Sequence, residues 1–257
     1  MNKYSLFNRT TVLLYGVIAY AAFLATITYA AGFVGNFLVP KSIDSARTSP
    51  FWTAALINAG LLMVFAVQHS LMARPFFKRW ITRYIPESAE RSTYTLAASL
   101  ALALVFWCWQ PLGGVLWQVE NPIGRVLLQA GSAFGWLLVL ATTFLINHFD
   151  LFGLRQVWLH FRNRAYTSVR FNTPGLYKMI RHPLYAGFLF AFWCTPVMTT
   201  AYILVAIQFE ERDLQRAHPE YAEYKRRTPM FVPRVKGNAS SERVENLAER
   251  KEARADY

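Results

Sequence analysis

Five stretches of apolar residues, separated by loops of unequal charge, restrict this 257-residue chain to helices that cross a bilayer. A backbone in hydrocarbon must satisfy its own N–H and C=O groups, and about 20 apolar residues of helix do so across one membrane. Four stretches read as crossings: Thr11–Val39, Trp52–Met72, Tyr94–Trp109 and Val126–Ile146. The first far exceeds the apolar core of a signal peptide and has no obvious cleavage site, so it is expected to remain as a span. Trp52, Trp107, Trp109 and Trp117 fall near predicted helix ends, where amphipathic rings favour the interface. Only 16% of residues are charged, far below a soluble average near 25%, and 54% are hydrophobic.

The charges sort by loop. Lys3 and Arg9 precede the first span. Arg74, Lys78, Arg79, Arg83 and Arg91 follow the second, against Glu87 and Glu90. Arg155, Arg162, Arg164, Arg170, Lys178 and Arg181 follow the fourth, against Asp150. The intervening segments are nearly neutral. Basic loops stay on the cytoplasmic side, so this alternation predicts a cytoplasmic amino terminus and places the second and fourth loops beside it. The net charge of +12 is then explained by membrane lipid rather than nucleic acid. Cys108 and Cys194 each sit in an apolar run and form no disulfide framework.

The fifth stretch, Leu184–Phe209, is the difficult one. Its 26 residues suffice for one crossing as a helix of about 39 Å, interrupted by Thr195-Pro196 and Thr199-Thr200. One crossing would separate Glu210 from Arg181, whereas a re-entrant hairpin would keep them on one side. Before it, Leu151–Phe161 has the pattern of an amphipathic interfacial helix, and Thr173-Pro174-Gly175 is a turn after which Leu176–Ile180 is expected to start a helix. After it, Glu210–Arg234 reads as a helix and a Pro-containing strap. The expected division is a membrane domain over 1–235 and a charged tail over 236–257.

Polar residues gather at the span ends on the basic side: Gln68-His69-Ser70, Asn147-His148-Phe149-Asp150, Arg181-His182-Pro183 and Glu210-Glu211. Ionisable groups at membrane depth are costly and become candidates for function. His69 has the side-chain type of a general base at neutral pH. His148 and Asp150 are two apart and do not share a helix face. No H-E-x-x-H spacing occurs, so no metal is expected. Pro183 suits a first helical turn, Gly187 permits close approach, and free N–H groups beside Arg181 suit an anionic or polar ligand. There is no internal repeat, which disfavours a small-solute transporter, and no G-x-G-x-x-G fingerprint.

The ordered series R-H-P-L-Y-x-G at Arg181–Gly187, E-E-R-D-L at Glu210–Leu214 and H-P-x-Y-x-x-Y-x-x-R-x-P at His218–Pro229 resembles the carboxy-terminal signature of the isoprenylcysteine carboxyl methyltransferase superfamily. Gln68–Ser70 and N-H-F-D-L-F-G-L-R-Q at Asn147–Gln156 are similar to its bacterial NnrU-like branch. The resemblance implies an all-α, polytopic transmembrane bundle of the bacterial inner membrane with a cytoplasm-facing cofactor pocket. It implies transfer of a methyl group from S-adenosylmethionine to a small thiol, methanethiol or hydrogen sulfide, with no protein partner required. The alternative acceptor is a prenylated or lipid-like thiol or carboxylate.

On the same resemblance, Arg181, His182, Pro183, Tyr185 and Gly187 line the cofactor, with Glu210 or Glu211 toward its ribose or amino-acid part. Tyr221, Tyr224 and Arg227 close the pocket, and Arg227 pairs with the cofactor carboxylate. Attack on a sulfonium methyl needs a thiolate, so a base or a positive potential is required. His69 is the first choice, His148 and Asp150 are rivals or orienting groups, and Arg155 supplies positive potential. Against the family pattern that it resembles, the chain is about a dozen residues short between the first two motifs, with the join at Met198–Ala201; this reads either as a true deletion with a re-entrant hairpin or as omitted residues.

Overall fold

The computed structural model describes residues 5–46, 48–113, 119–194 and 200–233. Trp117, residues 195–199 and the charged tail lie outside them. Helix α1 spans Leu6–Gly35, α2 Phe51–Met72, α4 Glu90–Cys108 and α5 Pro122–Ile146, and these four are long and apolar enough to cross a membrane. Their bounds follow capping chemistry. Ser5 accepts from the Asn8 N–H at the start of α1, and Asn121 accepts from Ile123 and Gly124 with Pro122 in the first turn of α5. Asn36, at φ 56°, ends α1 in the left-handed conformation that asparagine tolerates.

The outer surface of these helices is apolar. Leu56 is 74% exposed, and Ile18, Met63, Leu127 and Leu137 all exceed half exposure. A water-soluble protein does not display such a belt, whereas hydrocarbon chains cover it without cost. The chain is therefore an all-α, multi-pass membrane bundle, with no strand among the described residues. Trp52 and Trp107 are exposed at adjacent ends of α2 and α4, as expected of interfacial rings, while Trp109 is buried and its indole N–H donates to the Ile43 carbonyl. Inside, Phe33 of α1 packs on Phe106 and Trp109 around Ala30, Val34 and Val105. Asn58, buried in α2, bonds both the N–H and the C=O of Gln110 and so ties α2 to the turn after α4.

Short helices occupy the basic end: α3 over Pro75–Ile81, α6 over His148–Leu151 and α7 over Leu154–Phe161. Gly153 joins α6 to α7 at φ +90°, and a Cβ there would meet Ser92 Oγ at 2.6 Å, so glycine is required twice over. Leu176–Ile180 does not begin an α-helix as the sequence suggested. Gly175–Lys178 makes one 3-10 turn, and the ladder stops there because the N–H groups of Arg181 and His182 donate to Pro229 and Met230 instead.

The last apolar stretch forms α8 over Pro183–Trp193 and α9 over Thr200–Ala217, followed by α10 over Tyr221–Arg227. Eleven residues make α8 about 16 Å long, half a crossing. It lies against α5, where Gly135 and Gly187 let the backbones touch. A Cβ on Gly135 would meet Ala191 N at 2.3 Å and Gly187 O at 2.6 Å. The carboxy-terminal strap then returns, with Arg181 N–H donating to Pro229 O at 2.8 Å and His182 N–H to Met230 O at 3.1 Å.

Candidate functional site at the basic end of the bundle

Four polar groups stand at this end, and they differ in how far their bonding capacity is used. The largest is centred on α8 and α9. His182, the residue before α8, is buried, and its Nε2–H donates to Glu211 Oε1 at 2.9 Å. Lys225 Nζ donates to Glu211 Oε2 at 2.6 Å, and Arg181 Nη2 lies 3.4 Å from Oε1. Burial pushes the Glu211 carboxyl up, but Lys225, His182 and Arg181 outweigh it and hold the group below its ordinary value. Glu211 is 2% exposed and fully engaged, so it ties α9 to the start of α8 and to α10.

Glu210 behaves differently. Its Oε2 faces His182 Nδ1 at 3.7 Å, and 44% of its side-chain surface is open. Crowding by the surrounding protein raises its carboxyl above the ordinary value, against the pull of His182 and a hydrogen bond from Tyr185. Burial raises the Tyr177 phenol, and the nearby Glu210 charge adds to the rise. Tyr224 donates its hydroxyl to the Tyr177 carbonyl at 2.6 Å. Two buried polar atoms here have no hydrogen-bond partner among the described residues, Arg181 Nε and the Tyr221 hydroxyl. An accessible carboxylate, phenols, a histidine and two unpaired donors thus occupy one small region.

Other expected members stand elsewhere. Arg227 pairs with Glu223 on the exposed side of α10, away from Tyr221, Tyr224 and Lys225. Gly187 makes its close approach to α5, and Pro183 is buried in the first turn of α8.

His69, in the last turn of α2, stacks on Phe65 with ring centres 5.3 Å apart. The Tyr94 hydroxyl lies 3.0 Å from its Nε2 and 3.1 Å from its Nδ1. Beside it, Gln68 Oε1 is buried without a partner among the described residues. Arg74, two residues beyond α2, bonds Asp213 of α9 at 3.2 Å, which brings the His69 end of α2 alongside the Glu210 end of α9.

His148 and Asp150 are both committed. The Thr143 hydroxyl donates to the Leu140 carbonyl at 2.7 Å, so it can only accept from His148 Nδ1–H, also at 2.7 Å. That fixes the tautomer and leaves Nε2 to accept the Tyr20 hydroxyl at 2.7 Å. The ring is 3% exposed and stacks on Phe144, and burial lowers its pKa. Asp150 accepts from Arg155 at 2.8 Å and from Tyr166 at 3.2 Å, and Arg155 also donates to the Thr167 carbonyl and hydroxyl. This closed set straps the loop after α7 to α6 and neutralises Arg155. No three of His, Cys, Asp and Glu converge as metal ligands among the described residues.

Residues 57–201 match the NnrU protein family. The methanethiol S-methyltransferase of Crocosphaera subtropica is 52% identical over 240 residues, covering 89% of this chain and 94% of its own length. That of Mycobacterium tuberculosis is 49% identical over 237 residues, covering 88% and 97%. This chain belongs to the NnrU-like methanethiol S-methyltransferase family. A more distant relative, bovine Nurim, is 32% identical over 162 residues, covering 58% of this chain and 60% of its own length. No solved structure matches the chain.

Lys225, Tyr177, Tyr94, Tyr20, Thr143 and Tyr166 were not singled out in the sequence. A helical wheel would have found Lys225, since Tyr221, Tyr224 and Lys225 stand at i, i+3 and i+4 on one face and Glu223 and Arg227 on another. Nothing in the sequence points to the hydroxyls of Tyr20 and Tyr94, whose partners lie 128 and 25 residues away.

Proposed function

We propose that the chain methylates small thiols, converting methanethiol to dimethyl sulfide and hydrogen sulfide to methanethiol with S-adenosylmethionine, at a site between α9, the start of α8 and the end of α2. The 52% identity to a methanethiol S-methyltransferase across almost the whole chain carries this reading. The charge alternation of the loops supports a cytoplasm-facing site in a bacterial inner membrane, with residues 1–235 as the methyltransferase domain.

The donor set fits the cofactor. The open Glu210 carboxylate accepts hydrogen bonds from a ribose diol or an ammonium, and Tyr185, His182 and Tyr177 flank it. The unpartnered Arg181 Nε and Tyr221 hydroxyl are donors suited to a carboxylate, a role for which Arg227, paired on the outer face, is poorly placed. When bound, S-adenosylmethionine supplies an electrophilic methyl group on a sulfonium. Glu211 does not touch the ligand in this reading; it holds α8, α9 and α10 in register.

The protein must then hold a thiol in line and take its proton. Of the four groups first considered for this step, His148 has both nitrogens bonded, and Asp150 and Arg155 satisfy one another. His69 remains, on an aromatic wall of Phe65 and Tyr94 that suits a small apolar thiol. We assign it as the base, with the proton leaving sulfur for a ring nitrogen.

The test offers purified protein S-adenosylmethionine with hydrogen sulfide, methanethiol or a prenylcysteine analogue, and follows volatile sulfides by gas chromatography. Dimethyl sulfide from methanethiol is expected, and methylation of the prenyl substrate alone overturns the reading. In His69→Ala turnover falls while S-adenosylmethionine affinity, read by calorimetry, holds. An equal loss of both removes His69 as the base.

A further inference from the structure

The short helix α3 plays no part in the site, yet it carries the most distinctive surface at the basic end. Phe76, Arg79, Trp80, Arg83 and Tyr84 fall at i, i+3, i+4, i+7 and i+8, and all five are exposed. The helical path continues beyond Ile81, since Arg83, Tyr84 and Ile85 donate back to Trp80, Ile81 and Ile81. Phe76 is 56%, Trp80 47% and Tyr84 72% exposed, and the Trp80 and Tyr84 rings sit 5.5 Å apart. The opposite face, Phe77, Lys78, Ile81 and Thr82, is turned toward the bundle, where Lys78 lies within the fields of Arg91, Glu90 and Asp213.

The exposed stripe is therefore not simply apolar. Neither Arg79 nor Arg83 has a carboxylate within ion-pair reach among the described residues. An aromatic row edged by two unpaired guanidiniums, set at the end of a spanning helix, needs a surface that is apolar on one side and anionic on the other. The boundary between acyl chains and phosphate headgroups has that character. A protein partner would have to match both the rings and the positive charge, whereas the bilayer already surrounding α2 does so at this level without further folding.

We propose that the α3 stripe is an anionic-lipid docking surface: Phe76, Trp80 and Tyr84 enter the headgroup–acyl boundary, and Arg79 and Arg83 bind lipid phosphates. Arg74, the residue that caps α3, bonds Asp213, so a lipid-seated α3 also fixes the outer end of α9.

Two measurements test this without using enzyme activity. In nanodiscs, Trp80 fluorescence is isolated as the difference between wild type and Trp80→Phe. It should be quenched by brominated phospholipid and shielded from aqueous acrylamide. A Trp80 component open to acrylamide and untouched by brominated lipid places the helix in water and overturns the proposal. Native mass spectrometry with mixed phosphatidylglycerol and phosphatidylcholine then reads headgroup selectivity. Selectivity for the anionic lipid should fall about fivefold for each guanidinium removed in Arg79→Gln and Arg83→Gln, and Arg79→Lys should retain most of it. Unchanged selectivity in the double Gln variant, with the thermal melt of the wild type, also overturns it.

Discussion

Replacing Glu211 by glutamine tests the carboxylate on which α8, α9 and α10 converge. The side chain is 2% exposed and faces Lys225 at 2.6 Å, His182 at 2.9 Å and Arg181 at 3.4 Å. The amide keeps the shape but removes the charge, and its NH2 group points a donor at other donors. Removing one partner of a buried ion pair costs 3–5 kcal/mol, because the remaining charges lose compensation. Arg181 is only 9% exposed and bears that loss, whereas Lys225, 37% exposed, recovers part of its hydration. The lower end, about 3 kcal/mol, is therefore expected. At 2–4 °C per kcal/mol for a chain of this size, the apparent Tm in detergent falls by roughly 6–12 °C.

The pH dependence gives the same experiment a sign. Glu211 is held below its ordinary carboxyl value of 4.5 in the folded protein. A depressed acid contributes its stabilisation in full above the unfolded value and loses it as pH falls through the folded one. Wild type should lose Tm progressively from about pH 5 downward, and Glu211→Gln should be weaker at neutral pH and lack that share of the acid loss. Tryptophan-monitored melts from pH 7 to pH 3 measure both. A variant that melts with the wild type at pH 7 would show that the three cations gain nothing from this carboxylate, and the reasoning would fail.

Three further substitutions separate packing from chemistry. Gly135→Ala drives a Cβ to 2.3 Å from Ala191 N, where no flexible side chain can yield, so α8 must shift and a thermal melt should show a loss of 1–3 kcal/mol. Tyr20→Phe leaves the buried His148 Nε2 without its donor and should cost about 1–3 kcal/mol in stability with no change in thiol KM; a KM effect would return His148 to the reacting groups. Arg227→Ala breaks only an exposed pair with Glu223, so stability should change by less than about 1 kcal/mol and S-adenosylmethionine affinity should hold, while a large affinity loss would mean that α10 rotates on binding.

The spans were legible because bilayer thickness imposes one dominant pattern, and the four helices begin and end within a few residues of the apolar blocks. The polar clusters were legible as places but not as roles. His148, Asp150 and His69 look alike as ionisable residues at helix ends, and only the positions of Thr143, Tyr20, Arg155 and Tyr166 show that His148 and Asp150 are committed. Those partners come from up to 128 residues away, as with Tyr20 and His148. Periodicity within a helix carries no trace of such a pairing. Arg227 adds a different limit, since the motif names the residue type whereas the turn of α10 decides which way it faces, here toward Glu223.

The final apolar stretch shows how the chemistry constrains the topology. Its 26 residues admit one crossing by length alone, yet His182 before it and Glu211 beyond it are hydrogen-bonded at 2.9 Å. The chain must go in and return, so neither arm can reach much past half the hydrocarbon depth. An isolated half-length pair would be poorly held in lipid, where apolar burial contributes nothing to helix association. Two features compensate: the glycine contact that presses α8 into α5, and the ionic tie at Glu211 that closes the hairpin at its open end. The charge that makes Glu211 costly to bury thus also keeps Glu210, its neighbour in sequence, facing Tyr185 and His182 rather than the far side of the membrane.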